Sequence, residues 1–189
     1  LRRGSAAVYM DVYHPEIEEF LDLRKPNGDA NRRSLNLHHG IGLTDEFMEA
    51  VKTGSMFDLK SPMTNEVIRS IDARTLWQKI LETRVQTGEP YLLFSDTVNA
   101  ALAPHQKALG LKVKQSNLCV EIMLHTGKDH LGVERTAVCC LSSVNAEKFL
   151  EWNKNDEFLP DVMRFLDNVL QDFIERAPDT MERAKYAAM

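Results

Sequence analysis

Two stretches rich in apolar and β-branched residues, 6–13 and 35–43, flank a segment with helical periodicity, and this strand–helix–strand order constrains the fold more than any other feature of the chain. A helix between two strands supplies the long crossover that parallel pairing needs, whereas a short turn would make an antiparallel hairpin. The first stretch carries apolar side chains on both alternating faces, the pattern of a buried strand. Behind it, Pro15 sits at a helix start, Glu16, Glu18 and Glu19 fill the first turns, and Ile17, Phe20 and Leu21 share one face. Lys25-Pro26-Asn27-Gly28 ends that helix.

The alternation continues. Thr44 caps a short helix carrying Phe47, Met48 and Val51, closed by Gly54. Asp72 caps another, in which Leu76, Trp77, Ile80, Leu81 and Val85 follow the helical period up to Gly88. Residues 91–94 form a short apolar run of strand length, and a short helix and loop are expected between Asp96 and Gln115. Residues 117–124 and 136–144 read as extended, and 158–177 as a long helix with Val162, Phe165, Leu166, Val169, Phe173 and Ile174 inward, ended by Pro178. The result is an α/β chain with about five strands and no repeat or linker dividing it, expected to be one structural piece.

Of the 189 residues, 43% are hydrophobic and 27% charged, which excludes disorder. Against 23 Lys and Arg stand 28 Asp and Glu, and the net charge of −5 argues against a sequence-independent grip on nucleic acid. No apolar run approaches a membrane span of roughly 20 residues. Three cysteines without framework spacing read as reduced thiols, the state of the cytoplasm. The chain starts at Leu1 and stops at Met189 inside a helical pattern, and is expected to be a piece of a longer protein. P-loop, GxGxxG and GxSxG signatures are missing, so kinase, dehydrogenase and serine hydrolase readings lack support.

Chemistry concentrates in Ser116-Asn117-Leu118-Cys119-Val120-Glu121-Ile122. In an extended chain residues 117, 119 and 121 share a face, which would bring an amide, a thiol and a carboxylate together while Leu118, Val120 and Ile122 take the other. A carboxylate can act as a base, an amide can orient hydroxyls, and a thiol can be a nucleophile, a ligand or a one-electron donor. A half-exposed strand with a small buried cysteine has the same spacing. Of Cys139-Cys140 only one can face such a site, since adjacent strand residues point oppositely. No CxxC occurs, and three cysteines with His38-His39 match no zinc arrangement, so no metal site is expected. The two histidines are read as structural. Arg2-Arg3-Gly4-Ser5 forms a small basic turn able to meet a phosphate or a base.

Three of these segments carry a resemblance. Arg2-Arg3-Gly4-Ser5-Ala6-Ala7-Val8-Tyr9 followed by His14-Pro15-Glu16-Ile17-Glu18-Glu19-Phe20-Leu21-Asp22-Leu23-Arg24-Lys25 resembles the RxGA…YLExWHxDIxxFLDxRK stretch of the large catalytic α subunit of class I ribonucleotide reductases. Residues 116–122 resemble the SNLCxEI motif of that family, and Thr136-Ala137-Val138-Cys139-Cys140-Leu141-Ser142-Ser143-Val144 resembles its TAVCNLASV segment. The motifs stand in family order, and the resemblance runs through essentially the whole chain.

The resemblance implies part of a ten-stranded α/β barrel made of two half-barrels, incomplete in this chain. Residues 1–189 would be the central part of that catalytic domain, with no second domain and with residues 114–124 on the finger loop at its centre. Cys119 would carry the thiyl radical that takes the 3′ hydrogen of a ribonucleoside diphosphate, Glu121 would accept the 3′-hydroxyl proton, and Asn117 would hold the ribose hydroxyls. Cys139 would be one half of a redox-active disulfide whose partner cysteine precedes Leu1, and Cys140 a bystander. Arg2, Arg3 and Gly4 match the end of the loop joining a specificity site to the substrate base, although Leu1 and Arg3 stand where relatives often have Lys and Pro or Gly.

No cofactor is expected on this chain itself. The full subunit would bind dNTP and ATP effectors, pair as a homodimer, and depend on a small subunit with a di-metal radical cofactor and on thioredoxin or glutaredoxin, with neither nucleic acid nor membrane as a partner. About five strands cannot close such a barrel, so turnover by these residues alone is not expected. Two alternatives remain at this point: an adenosylcobalamin-dependent (class II) reductase, which shares the Cys, Asn and Glu logic, and an inactive split-gene remnant.

Overall fold

A computed structural model describes residues 3–188, which fall into two compact units: the chain up to Ala108 together with Lys112–Leu124, and Leu109–Leu111 together with the chain from His125 onward. Arg2 lies outside the described residues.

The first unit holds β1 (Ala7–Asp11), α1 (Ile17–Asp22), β2 (His38–Leu43), α2 (Asp45–Thr53), β3 (Met56–Lys60), β4 (Val67–Asp72), α3 (Ala73–Thr87), β5 (Tyr91–Phe94), α4 (Ser95–Ala100) and α5 (Pro104–Ala108). Its centre is a parallel sheet in the order β1-β2-β5, as the strand–helix alternation requires. The helix boundaries follow from capping chemistry. Thr44 Oγ1 accepts the Phe47 N–H at 3.2 Å, Asp72 Oδ1 accepts the Thr75 N–H at 2.7 Å, and Gly54 and Gly88 end α2 and α3 in the left-handed conformation. Between α2 and α3 stands an antiparallel hairpin of β3 and β4.

The register divides the sheet into two faces. Met10, Ile41 and Leu92 form one row, and their face is covered by a core of Ile17, Phe20, Leu21, Phe47, Leu76 and Ile80 from α1, α2 and α3. Tyr9, Gly40 and Tyr91 form the neighbouring row, which points to the other face. The helices thus cover one side of the sheet, and the tyrosines line the other.

At the start of β2 a buried carboxylate holds the sheet to α1. Glu89 is 5% exposed. It accepts the His39 backbone N–H at 3.0 Å, lies 2.5 Å from His38 Nδ1, and faces Arg24 Nε at 3.4 Å. His39 packs edge-on to Phe20 with ring centroids 5.0 Å apart, while His38 stacks on Tyr91, so each histidine has a structural task. Burial pushes the Glu89 carboxyl up, but the His38 ring, the His39 N–H and the Arg24 guanidinium outweigh it and hold it below its ordinary value. A lowered carboxylate contributes stability above its unfolded pKa, near about 4.3, and loses it as the pH falls through the folded value. Burial also depresses the His39 pKa, which acts in the same direction. The stability gap between the native polypeptide and a Glu89→Gln variant, measured by urea unfolding, should therefore be wide at about pH 7 and narrow as the pH falls below about 4. A gap independent of pH would remove Glu89 from this role.

The second unit holds β6 (Gly127–Lys128), β7 (Glu134–Arg135), α6 (Phe149–Trp152), α7 (Phe158–Arg176) and α8 (Glu182–Ala188). Asp129 is its buried hub. Its carboxylate accepts the Leu131 and Val133 N–H groups at 2.8 and 3.1 Å, the Arg135 Nε–H at 3.0 Å and the Tyr186 hydroxyl at 3.1 Å. Burial raises the Asp129 pKa, and these donors more than reverse it, holding the group down to about 2.

Three sequence expectations are corrected. Residues 117–124 are a turn and irregular backbone rather than a strand, because side chains take over the backbone hydrogen bonds there. The segment expected to be extended, 136–144, forms no strand; the residues just before it, Glu134–Arg135, pair with Gly127–Lys128. Of the α7 face expected inward, Val162, Leu166, Phe173 and Ile174 are half-buried, but Phe165 and Val169 are 64% and 37% exposed.

Candidate active site

Asn99 fixes the base of the segment that carries the chemistry. Its amide donates to the Val113 carbonyl at 2.9 Å and its carbonyl accepts the Val113 N–H at 2.9 Å, which ties α4 to the incoming chain. Val113 itself is buried. The chain then reaches Asn117 and reverses.

The reversal is a turn closed by the Val120 N–H donating to the Asn117 carbonyl at 3.3 Å. Val120 sits at φ +63°, left-handed backbone that a β-branched residue adopts only when its surroundings impose it, at a cost of order 1–3 kcal/mol. The imposing groups are visible. Asn117 Oδ1 accepts the Glu121 N–H at 3.2 Å and the Ile122 N–H at 3.1 Å, and Ser116 Oγ donates to the Ile122 carbonyl at 2.7 Å. Asn117 Nδ2 donates to Glu121 Oε1 at 2.7 Å, fixing the carboxylate against the amide.

Amide and carboxylate are therefore brought together as the sequence spacing suggests, but by a turn rather than by the two-residue period of a strand. Cys119 occupies the turn between them and is exposed, as is Glu121. An accessible thiol two residues before an oriented carboxylate suits a reaction in which one group takes a hydrogen atom or attacks and the other takes a proton.

Tyr9, which no local pattern marks, reaches the turn from β1, where its hydroxyl donates to the Asn117 carbonyl at 3.0 Å across 108 positions of chain. Burial pushes its phenol pKa up, and the charges of Tyr91, Glu121 and Cys119 add to the rise. Arg3 and Gly4 are exposed on irregular backbone before β1. Cys139 is exposed and Cys140 half-buried in the second unit. Among the described residues no group of three or more His, Cys, Asp or Glu is placed to hold a metal ion, and no helix is long and apolar enough to cross a membrane.

Comparison with known proteins adds an independent line. Residues 1–186 match the family model described as "Ribonucleotide reductase, barrel domain". A Frog virus 3 (isolate Goorha) protein, provisionally named a ribonucleoside-diphosphate reductase large subunit, is 51% identical over 178 residues, covering 94% of this chain and 30% of that protein. The ribonucleoside-diphosphate reductase large subunit of Invertebrate iridescent virus 3 is 38% identical, covering 99% of this chain and 38% of the relative. Among solved structures, the Actinobacillus ureae class Id ribonucleotide reductase alpha subunit superposes with a TM-score of 0.76 at 31% identity, over all of this chain and 32% of that one. The chain spans about a third of the length of these relatives.

Proposed function

The chain belongs to the ribonucleotide reductase barrel-domain family, and from that premise we propose that its 189 residues are the central part of the catalytic domain of a class I ribonucleoside-diphosphate reductase large subunit. The observation that supports this reading is the turn in which the exposed Cys119 stands in sequence between Asn117 and Glu121, whose amide and carboxylate are bonded to each other.

In this reading the Cys119 thiyl removes the 3′ hydrogen atom of a ribonucleoside diphosphate and becomes a thiol. Glu121 takes the 3′-hydroxyl proton, and the 2′-hydroxyl leaves as water. Cys139 and a partner thiol, which the family places upstream of this stretch, supply two electrons and two protons and close a disulfide. Of the two thiol protons one leaves with the water and the other ends on C2′; Cys119 then returns its hydrogen atom to C3′ and is a thiyl again, while Glu121 gives its proton back to the 3′ oxygen. Asn117 holds the ribose hydroxyls while its amide keeps Glu121 in place. Arg2, Arg3 and Gly4 meet the base and its specificity loop.

The radical is delivered by a small subunit that carries the metal cofactor, so the chemistry asked of this chain is confined to thiol, carboxylate and amide. The large subunit works as a homodimer in the cytoplasm, responds to dNTP and ATP effectors, and is re-reduced by thioredoxin or glutaredoxin. The kinship of the chain with class I large subunits favours this over the cobalamin-dependent alternative and over an inactive remnant.

The test is nucleoside diphosphate reduction by the native polypeptide that carries this sequence, with and without its small subunit and with and without adenosylcobalamin. Reduction should require the small subunit and ignore the cobalamin. Activity with cobalamin alone would move the protein to the other class, and no activity under either condition would favour the remnant.

A further inference from the structure

The sheet face opposite the helices carries a row of Tyr9, Gly40 and Tyr91 in register across three parallel strands. The glycine in the middle strand is a steric requirement. A Cβ built on Gly40 would fall 2.6 Å from Tyr9 Cδ1 and 2.8 Å from Cζ, and closer still to Cε1, so the Tyr9 ring lies across β2 in the space that a side chain would fill. From that seat its hydroxyl reaches the Asn117 carbonyl at 3.0 Å.

That carbonyl is the pivot of the turn. It also accepts the Val120 N–H that closes the reversal, and the same residue's side chain holds the Glu121 and Ile122 N–H groups and the Glu121 carboxylate. The turn stores strain at Val120, and such strain persists only where outside contacts over-determine the backbone. Ser116 and Asn117 supply further side-chain hydrogen bonds from within the turn itself.

We propose that Tyr9, seated over Gly40, is the positioning residue that anchors the Asn117–Glu121 turn to the sheet and so sets where the Cys119 thiol and the Glu121 carboxylate stand. This role rests on the reading of the turn as the reactive site. The raised phenol pKa keeps the hydroxyl protonated, and therefore a donor, through the physiological range.

The test uses Tyr9→Phe, which keeps the ring and removes one hydrogen bond, in the native polypeptide with its small subunit. Hydrogen exchange in a peptide spanning residues 117–122 should speed up by roughly three- to tenfold, the opening that loss of one net hydrogen bond allows. Under the same conditions kcat should fall by about tenfold with KM for the nucleoside diphosphate within about twofold and the melting temperature unchanged. Gly40→Ala, which keeps the hydroxyl but displaces the ring, should also speed exchange in that peptide. Native exchange in both variants would overturn the anchor. If the unsubstituted polypeptide reduces no nucleotide, the functional reading fails, while the exchange measurement still decides whether Tyr9 holds the turn.

Discussion

Replacing Cys119 by serine in the native polypeptide should abolish nucleotide reduction, leaving less than about a thousandth of the unsubstituted rate. The reason is the strength of the bond involved. A thiol surrenders its hydrogen atom to an incoming radical and the resulting thiyl can take one from carbon, whereas a serine hydroxyl holds its hydrogen too strongly to enter the cycle. Cys119 is exposed at the turn, and the hydrogen bonds that shape the turn run through Asn117, Ser116 and Glu121. The substitution should accordingly shift stability by no more than about 0.5 kcal/mol, the usual range for surface changes. Thermal unfolding and effector binding measured beside the rate separate loss of chemistry from loss of fold.

Glu121→Gln should cost about 10²–10⁴-fold in kcat/KM, the contribution usual for a positioned general base. The glutamine carbonyl can still accept the Asn117 amide that now bonds Oε1 at 2.7 Å, so the geometry is kept and only the proton acceptor is lost. Steady-state kinetics with a saturating small subunit check this. A variant within about twofold of the native kcat/KM would remove the base from Glu121.

How much was legible in the sequence depends on the range of the interactions involved. The parallel sheet was legible because the periodicities of strand and helix are local, and the caps at Thr44, Asp72 and Gly88 because capping is written within four residues. The hairpin of β3 and β4 carries a readable alternation, Phe57 and Leu59 inward with Asp58 between them, that a scan for strand–helix units passes over. The turn at residues 117–122 misleads, since Leu118, Val120 and Ile122 alternate as a strand would. There the short polar side chains of Ser116 and Asn117 compete successfully for the backbone. α7 shows a clean amphipathic period, but a period states that a face is to be covered and not what covers it.

The candidate site divides in the same way. Asn117, Cys119 and Glu121 announce themselves by type and proximity, whereas Tyr9 and Asn99 do not. Asn99 binds Val113 across fourteen positions and Tyr9 binds Asn117 across 108, distances at which no window of sequence registers a pairing. Gly40 is the indirect trace of the second pairing, a glycine inside a strand that marks the close approach of another group.

The most direct test of the central claim is a single turnover. The native polypeptide, pre-reduced with dithiol and then freed of it, is mixed with its small subunit and a ribonucleoside diphosphate, and the deoxyribonucleotide is quantified beside the same reaction with Cys119→Ser. The account predicts a burst of product from the unsubstituted protein and none from the variant. A burst of equal size from the variant would show that the thiol in the turn is not where the reaction takes place.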